Sequence, residues 1–71
     1  MNDRERIGNR IREIRMKKGL TAEQLAQMIG LRQQSMSRIE IGKFSTGIDI
    51  LGKIADALNC EIDFIEKHPH S

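Results

Sequence analysis

Residues 21–42 read TAEQLAQMIGLRQQSMSRIEIG, and the fold is decided there. Thr21, Ala22, Glu23 and Gln24 have the form of a capping box. The Thr21 hydroxyl can accept the third helical N–H while Gln24 reaches back to the N–H of Thr21. Leu20 and Leu25 flank the box at the spacing of a hydrophobic staple. Leu25, Ala26, Met28 and Ile29 supply the apolar side of a short helix that Gly30 stops. Gly30 stands where the turn needs a positive φ, and Leu31 is expected as a buried hinge between two helices. The second helix is expected over about residues 33–41, with Met36, Ile39 and Ile41 inward and Gly42 at its end. Two short helices joined by a tight glycine turn form a helix-turn-helix unit. The same pattern also suits any pair of packed helices in a small bundle, so periodicity alone leaves both readings open.

On the N-terminal side, Ile7, Ile11 and Ile14 recur at i, i+4 and i+7, one face of a helix over about residues 3–18. Lys17 and Lys18 close it, where cations suit the helix dipole, and Gly19 stops it. On the C-terminal side, residues 43–47 read as a loop. A fourth helix follows over about residues 48–58, with Ile48, Leu51, Ile54, Ala55 and Leu58 on one face and Asn59 as its stop. Residues 61–67 are ambiguous. They suit a short fifth helix, but charged and apolar residues alternate as in a strand, no good N-cap precedes them, and Ile and Phe favour strand. Residues 68–71 read as a frayed end. The expected class is all-α: a compact, four-to-five-helix domain spanning residues 1–71, with room for a short C-terminal strand.

A chain of 71 residues has room for one domain, and one this small buries only about 60% of the surface its unfolded chain exposes. Cys60 is the only cysteine, which excludes a disulfide and the usual structural zinc sites. Phe44 and Phe64 are the only aromatic residues, too few for the stacking platforms of single-strand or RNA readers. The net charge is +2, unevenly placed: residues 1–20 carry +4, residues 21–47 carry +1 and residues 48–71 carry −3. A basic front and an acidic back suit one face on a polyanion; an ordinary solvated surface explains the imbalance equally well. The charged N-terminus lacks a signal peptide's pattern, no apolar run is long enough to span a bilayer, and a reduced, cytoplasmic setting is expected. His68 and His70, beside Pro69, make poor metal chemistry. Cys60 reads as a small buried residue rather than a nucleophile. No phosphate-cradling loop or paired-carboxylate cleft can be read, so neither an enzyme nor a cofactor is expected.

The segment GLTAEQLAQMIGLRQQSMSRIEIGK, residues 19–43, resembles the phage-repressor and Cro-like helix-turn-helix family, the XRE family. The capping Thr21, Leu25-Ala26, the Gly30 turn, and Ile39-Glu40 followed by Gly42-Lys43 carry the likeness. It extends back to residues 10–15 and forward to residues 54–58, covering about residues 6–66. The resemblance implies a repressor-like fold and a sequence-specific regulator of transcription, in the first instance a repressor, with the helix from Gln33 in the major groove of double-stranded DNA. Gln33, Gln34, Ser37 and Arg38 would then contact bases, and Thr21, Gln24, Arg32 and Lys43 would contact phosphates. It also implies a pair between Arg15 and Glu40 that clamps the reading helix. The sequence departs from the family's pattern at Ala22, where a phosphate-gripping Gln is common. Arg32 stands in the place of a Ser or Thr N-cap, and the loop 44–47 lacks the usual basic residues and proline.

Such proteins usually bind as homodimers, and Ile62, Phe64 and Ile65 are candidate dimer contacts; completing the monomer's own core is the alternative. Two further functions stay open. One is an antitoxin that neutralises a toxin protein and represses its own operon. The other is a protein-interaction module that has kept the fold without DNA binding.

Overall fold

The computed structural model describes residues 2–68 and holds four α-helices: α1 (Asp3–Lys17), α2 (Ala22–Met28), α3 (Gln33–Glu40) and α4 (Ile48–Ala57). Helices of seven to fifteen residues are marginal alone in water, so their ends and their packing must hold them. Both capping boxes are closed. Asn2 accepts from the Glu5 N–H at 2.9 Å while Glu5 accepts from the Asn2 N–H at 3.1 Å. At α2, Thr21 and Gln24 do the same at 3.0 and 2.8 Å.

All four helices end in one way. After α2, Gly30 takes φ +71°, and the Leu31 N–H returns to the Ala26 carbonyl at 2.8 Å while the Gly30 N–H reaches Gln27 at 3.3 Å. This is the Schellman lock, which satisfies carbonyls that would otherwise be orphaned at a helix end. It recurs with Leu20 on Arg15, Lys43 on Arg38 and Cys60 on Ala55. In the last of these Asn59 holds the left-handed position, φ +57°.

Ile11, Leu25, Ala26, Met36, Ile39, Ile54 and Leu58 form one core cluster. α3 is packed by both α1 and α2, and α4 packs on α2. α1 approaches α3 closely at Gly8, which is buried. A Cβ there would run into the Ile39 and Glu40 carbonyls of α3, so the absence of a side chain sets the distance between these helices.

Several expectations are corrected. Leu31 is half-buried rather than buried, because the turn rims the core. Ile41, the C-cap of α3, is 60% exposed. Ile48 is 64% exposed, because the buried residues of α4 lie in its C-terminal half and the first turn overhangs the core. Residues 61–68 form neither a helix nor a strand: a helix there has no cap, and a strand needs a partner for its N–H and C=O groups. Ile62, Phe64 and Ile65 are exposed and do not complete the core. Cys60 is half-buried, its thiol donating to the Leu58 carbonyl at 3.5 Å. Of the frayed end read at 68–71, only His68 is among the described residues; His70 and Pro69 lie outside them.

The helical glycines give a test of opposite signs. Gly8→Ala should cost about 1–3 kcal/mol by overpacking. Gly52 lies inside α4 with nothing within 4 Å of where its Cβ would stand. Gly52→Ala should therefore gain up to about 1 kcal/mol from helix propensity. Urea midpoints of the two variants should move in opposite directions; a stabilised Gly8→Ala protein would refute the close helix contact.

Candidate nucleic-acid interface

α3 has two distinct sides. Met36, Ile39 and Glu40 are buried, at the i, i+3, i+4 spacing of one helix face. Gln33, Gln34, Ser37 and Arg38 are all exposed. Gln33 with Ser37, and Gln34 with Arg38, are four residues apart and so stack on one face. The core needs none of them, which leaves their polar groups to solvent or a ligand. Exposed Ile41 follows four residues after Ser37 and adds an apolar edge to that face.

The remaining site candidates frame this helix. Arg32 is its N-cap, extended at φ −74° and ψ 145°, and makes no side-chain cap bond. An arginine has no acceptor to offer a backbone N–H, so its guanidinium extends from an exposed residue at the start of α3. Lys43 is exposed just after Gly42, held by its N–H on the Arg38 carbonyl at 2.9 Å. Thr21 and Gln24 are exposed at the start of α2, and their capping box already uses an acceptor on each side chain. The hydroxyl hydrogen and the amide NH₂ that remain are donors, the polarity a phosphate oxygen takes. Glu23 in the same turn adds an acidic charge beside them.

Arg15 and Glu40 lie behind this surface rather than on it, at 9% and 5% exposure. The Arg15 Nε donates to Glu40 Oε2 at 2.7 Å and its Nη2 donates to Oε1 at 2.9 Å. Nη1 donates to the Leu20 carbonyl at 2.7 Å. One guanidinium thus joins α1, the α1–α2 turn and the last turn of α3. The hydrogen bond to Glu40 raises the Arg15 pKa above its ordinary value, burial opposes this, and the Glu40 charge adds to it. A raised pKa on a cation means that its contribution is complete below the unfolded value and lost only as pH rises through the folded one. On the alkaline side the pair therefore holds throughout the neutral range. The sequence reading did not include the Leu20 carbonyl, nor Gly8; a lone glycine inside a helical pattern was the available signal for the latter.

The helix-turn-helix family HTH_3 matches residues 11–65. The chain is 39% identical over 54 residues to a protein of Archaeoglobus fulgidus named as an uncharacterized HTH-type transcriptional regulator, covering 76% of this chain and 77% of that protein. Among solved structures, it is similar to the restriction-modification controller protein C.AhdI from Aeromonas hydrophila. That likeness has 36% identity and a TM-score of 0.80, over 83% of this chain and 86% of that one. It is also similar to the clp gene regulator ClgR from C. glutamicum, at 27% identity and a TM-score of 0.81, over 83% and 76% of the two chains. The chain belongs to the HTH_3 helix-turn-helix family.

Removing one member of the buried pair should be far worse than removing both. Glu40→Ala strands the Arg15 charge and should cost about 3–5 kcal/mol. Arg15→Ala combined with Glu40→Ala should cost clearly less than the sum of those two single changes. Chemical denaturation of the four proteins closes the cycle. Additive costs would mean that the two side chains do not act as a pair.

Proposed function

From family membership and the exposed face of α3, we propose that this protein is a sequence-specific double-stranded DNA-binding regulator of transcription, with α3 in the major groove. The observation that carries the reading is the set Gln33, Gln34, Ser37 and Arg38, fully outside the core on the second helix of the unit. A glutamine side chain pairs bidentately with the N6/N7 edge of adenine, and an arginine with O6/N7 of guanine, each worth about 1–3 kcal/mol of discrimination. Ser37 bonds either kind of edge. Thr21, Gln24, Arg32 and Lys43 hold the helix in place by phosphate contacts that carry no sequence information. The protein acts by binding, not catalysis, and without a cofactor. As a repressor it would work by covering DNA that other proteins need. Among the described residues no helix is long and apolar enough to cross a membrane, and the place of action is the cytoplasm, where the DNA is. Two copies would bind as a homodimer, their α3 helices about 34 Å apart on successive turns of the groove.

Selection of bound duplexes from a random pool at about physiological salt, where non-specific binding is weak, tests this directly. The expected result is a palindrome with half-sites about 10–11 base pairs apart. Gln33→Ala with Gln34→Ala should erase the preference at the bases they read. Lys43→Ala should weaken all sequences alike and lower the salt slope by about one per contact. No enrichment at all would overturn the reading of α3 as a reader acting without a partner protein.

A further inference from the structure

Ile41 is a large apolar residue that the core does not use: it is 60% exposed. Its backbone is nevertheless held on both sides. Glu40 before it is buried and bonded to Arg15. Gly42 after it turns at φ +79°, where a Cβ would meet Glu5 of α1 at 2.6–2.9 Å. The Ile41 N–H donates to the Ser37 carbonyl at 3.1 Å, the i to i−4 bond of an α-helix. Ile41 therefore keeps the helical phase of α3 for one residue past its end. Its side chain stands one turn beyond Ser37 and two turns beyond Gln34, on the face that holds the exposed candidates. A β-branched side chain in helical phase has one strongly preferred χ1, so covering it costs little rotamer freedom.

We infer that Ile41 is a further specificity-determining residue, packing on the C5-methyl group of a thymine about three base pairs from the base that Gln34 reads. The inference rests on the reading of α3 as the helix in the major groove. Isoleucine offers neither donor nor acceptor, so it adds nothing to a hydrogen-bonding code or to a phosphate contact. Of the four bases, thymine alone carries a methyl group on its major-groove edge. Over any other edge the same side chain covers donors and acceptors without pairing them, which is unfavourable. The spacing follows from the helix. Seven residues separate Gln34 from Ile41, about 10 Å at the rise of an α-helix, and stacked base pairs are about 3.4 Å apart. An α3 of eight residues is about 12 Å long, close to the width of the major groove, so the far end of its face stays within reach of bases.

The test starts from the duplex that selection yields and replaces each thymine of a half-site in turn by uracil. Uracil keeps every hydrogen-bonding group of thymine and lacks only the methyl. The native protein should lose affinity roughly fourfold at the position Ile41 covers, the effect of exposing about one methylene's worth of apolar surface. That position should lie about three base pairs from the one whose preference Gln34→Ala relaxes. Ile41→Ala should bind thymine and uracil there alike and keep the preferences due to Gln33 and Gln34. With cytosine at that position, 5-methylation should strengthen native binding and leave Ile41→Ala binding unchanged. The uracil comparison on the native protein does not depend on how any variant folds. Equal affinity for thymine and uracil at every position, or a uracil penalty that persists in Ile41→Ala, would overturn the role of Ile41 and leave the reading of α3 standing. A pool with no enriched sequence would overturn both.

Discussion

The Arg15 guanidinium is the constraint on which the reading surface depends. Its planar fork spends one edge on the Glu40 carboxylate and its remaining nitrogen on the Leu20 carbonyl. A lysine could supply the charge but not three donors fixed in one plane. Because Glu40 is the last residue of α3, fixing it sets the roll of that helix. The roll decides whether Gln33, Gln34, Ser37 and Arg38 face outward together. A buried ion pair is weak evidence for net stability; here its value lies in orientation. Gly8 acts on the same helix pair from the steric side, since its bare Cα lets the end of α3 approach α1 closely.

Around that contact, stability is assembled from local devices of modest size. Capping boxes close the first turns of α1 and α2, and a left-handed residue followed by a returning N–H closes the end of each helix. A helix cap is worth about 1 kcal/mol, a large share of the marginal stability of a small domain. α3 is the exception at its N-terminus. Like α4 it has no side-chain cap, and unlike the other three helices it has no acidic residue in its first turn, so contacts with α1 and α2 must hold it. The start of the helix that meets the ligand is therefore the part with the least local support. An unclosed helix N-terminus, with N–H groups and positive dipole exposed, is also favourable toward an anionic surface.

Charge follows the same division of labour. The basic excess lies in residues 1–20 and the acidic excess in residues 48–71, with the reading helix between them nearly balanced. Non-specific attraction to a polyanion would thus be modest, and under the proposed function discrimination would fall to hydrogen bonds on the α3 face. The acidic, apolar tail lies off the monomer's core, with Ile62, Phe64 and Ile65 exposed.

Much of the fold was legible because its signals are local. Thr21 with Gln24, Gly19, Gly30, Gly42 and Asn59 announce helix ends through hydrogen bonds that span three to five residues, and the apolar spacing of Ile11, Leu25, Met36, Ile39 and Ile54 gives each helix its inner side. The candidate site was legible by resemblance more than by physics. Glutamines at a helix start carry no sign of a ligand by themselves, and nothing in a separation of 25 residues says that Arg15 should meet Glu40. Tertiary structure alone decided how far each apolar face is covered. Ile41 and Ile48 follow their helical patterns and still lie in water, because Ile41 is the C-cap after α3 and the buried residues of α4 lie in its C-terminal half. It alone decided that Gly8 is a contact rather than a weak point, since that depends on which backbone passes beside it. Residues 61–67 stayed undecided for the same reason: a helix makes its hydrogen bonds within itself and can be read from sequence, whereas a strand makes them with a partner that its own sequence does not contain.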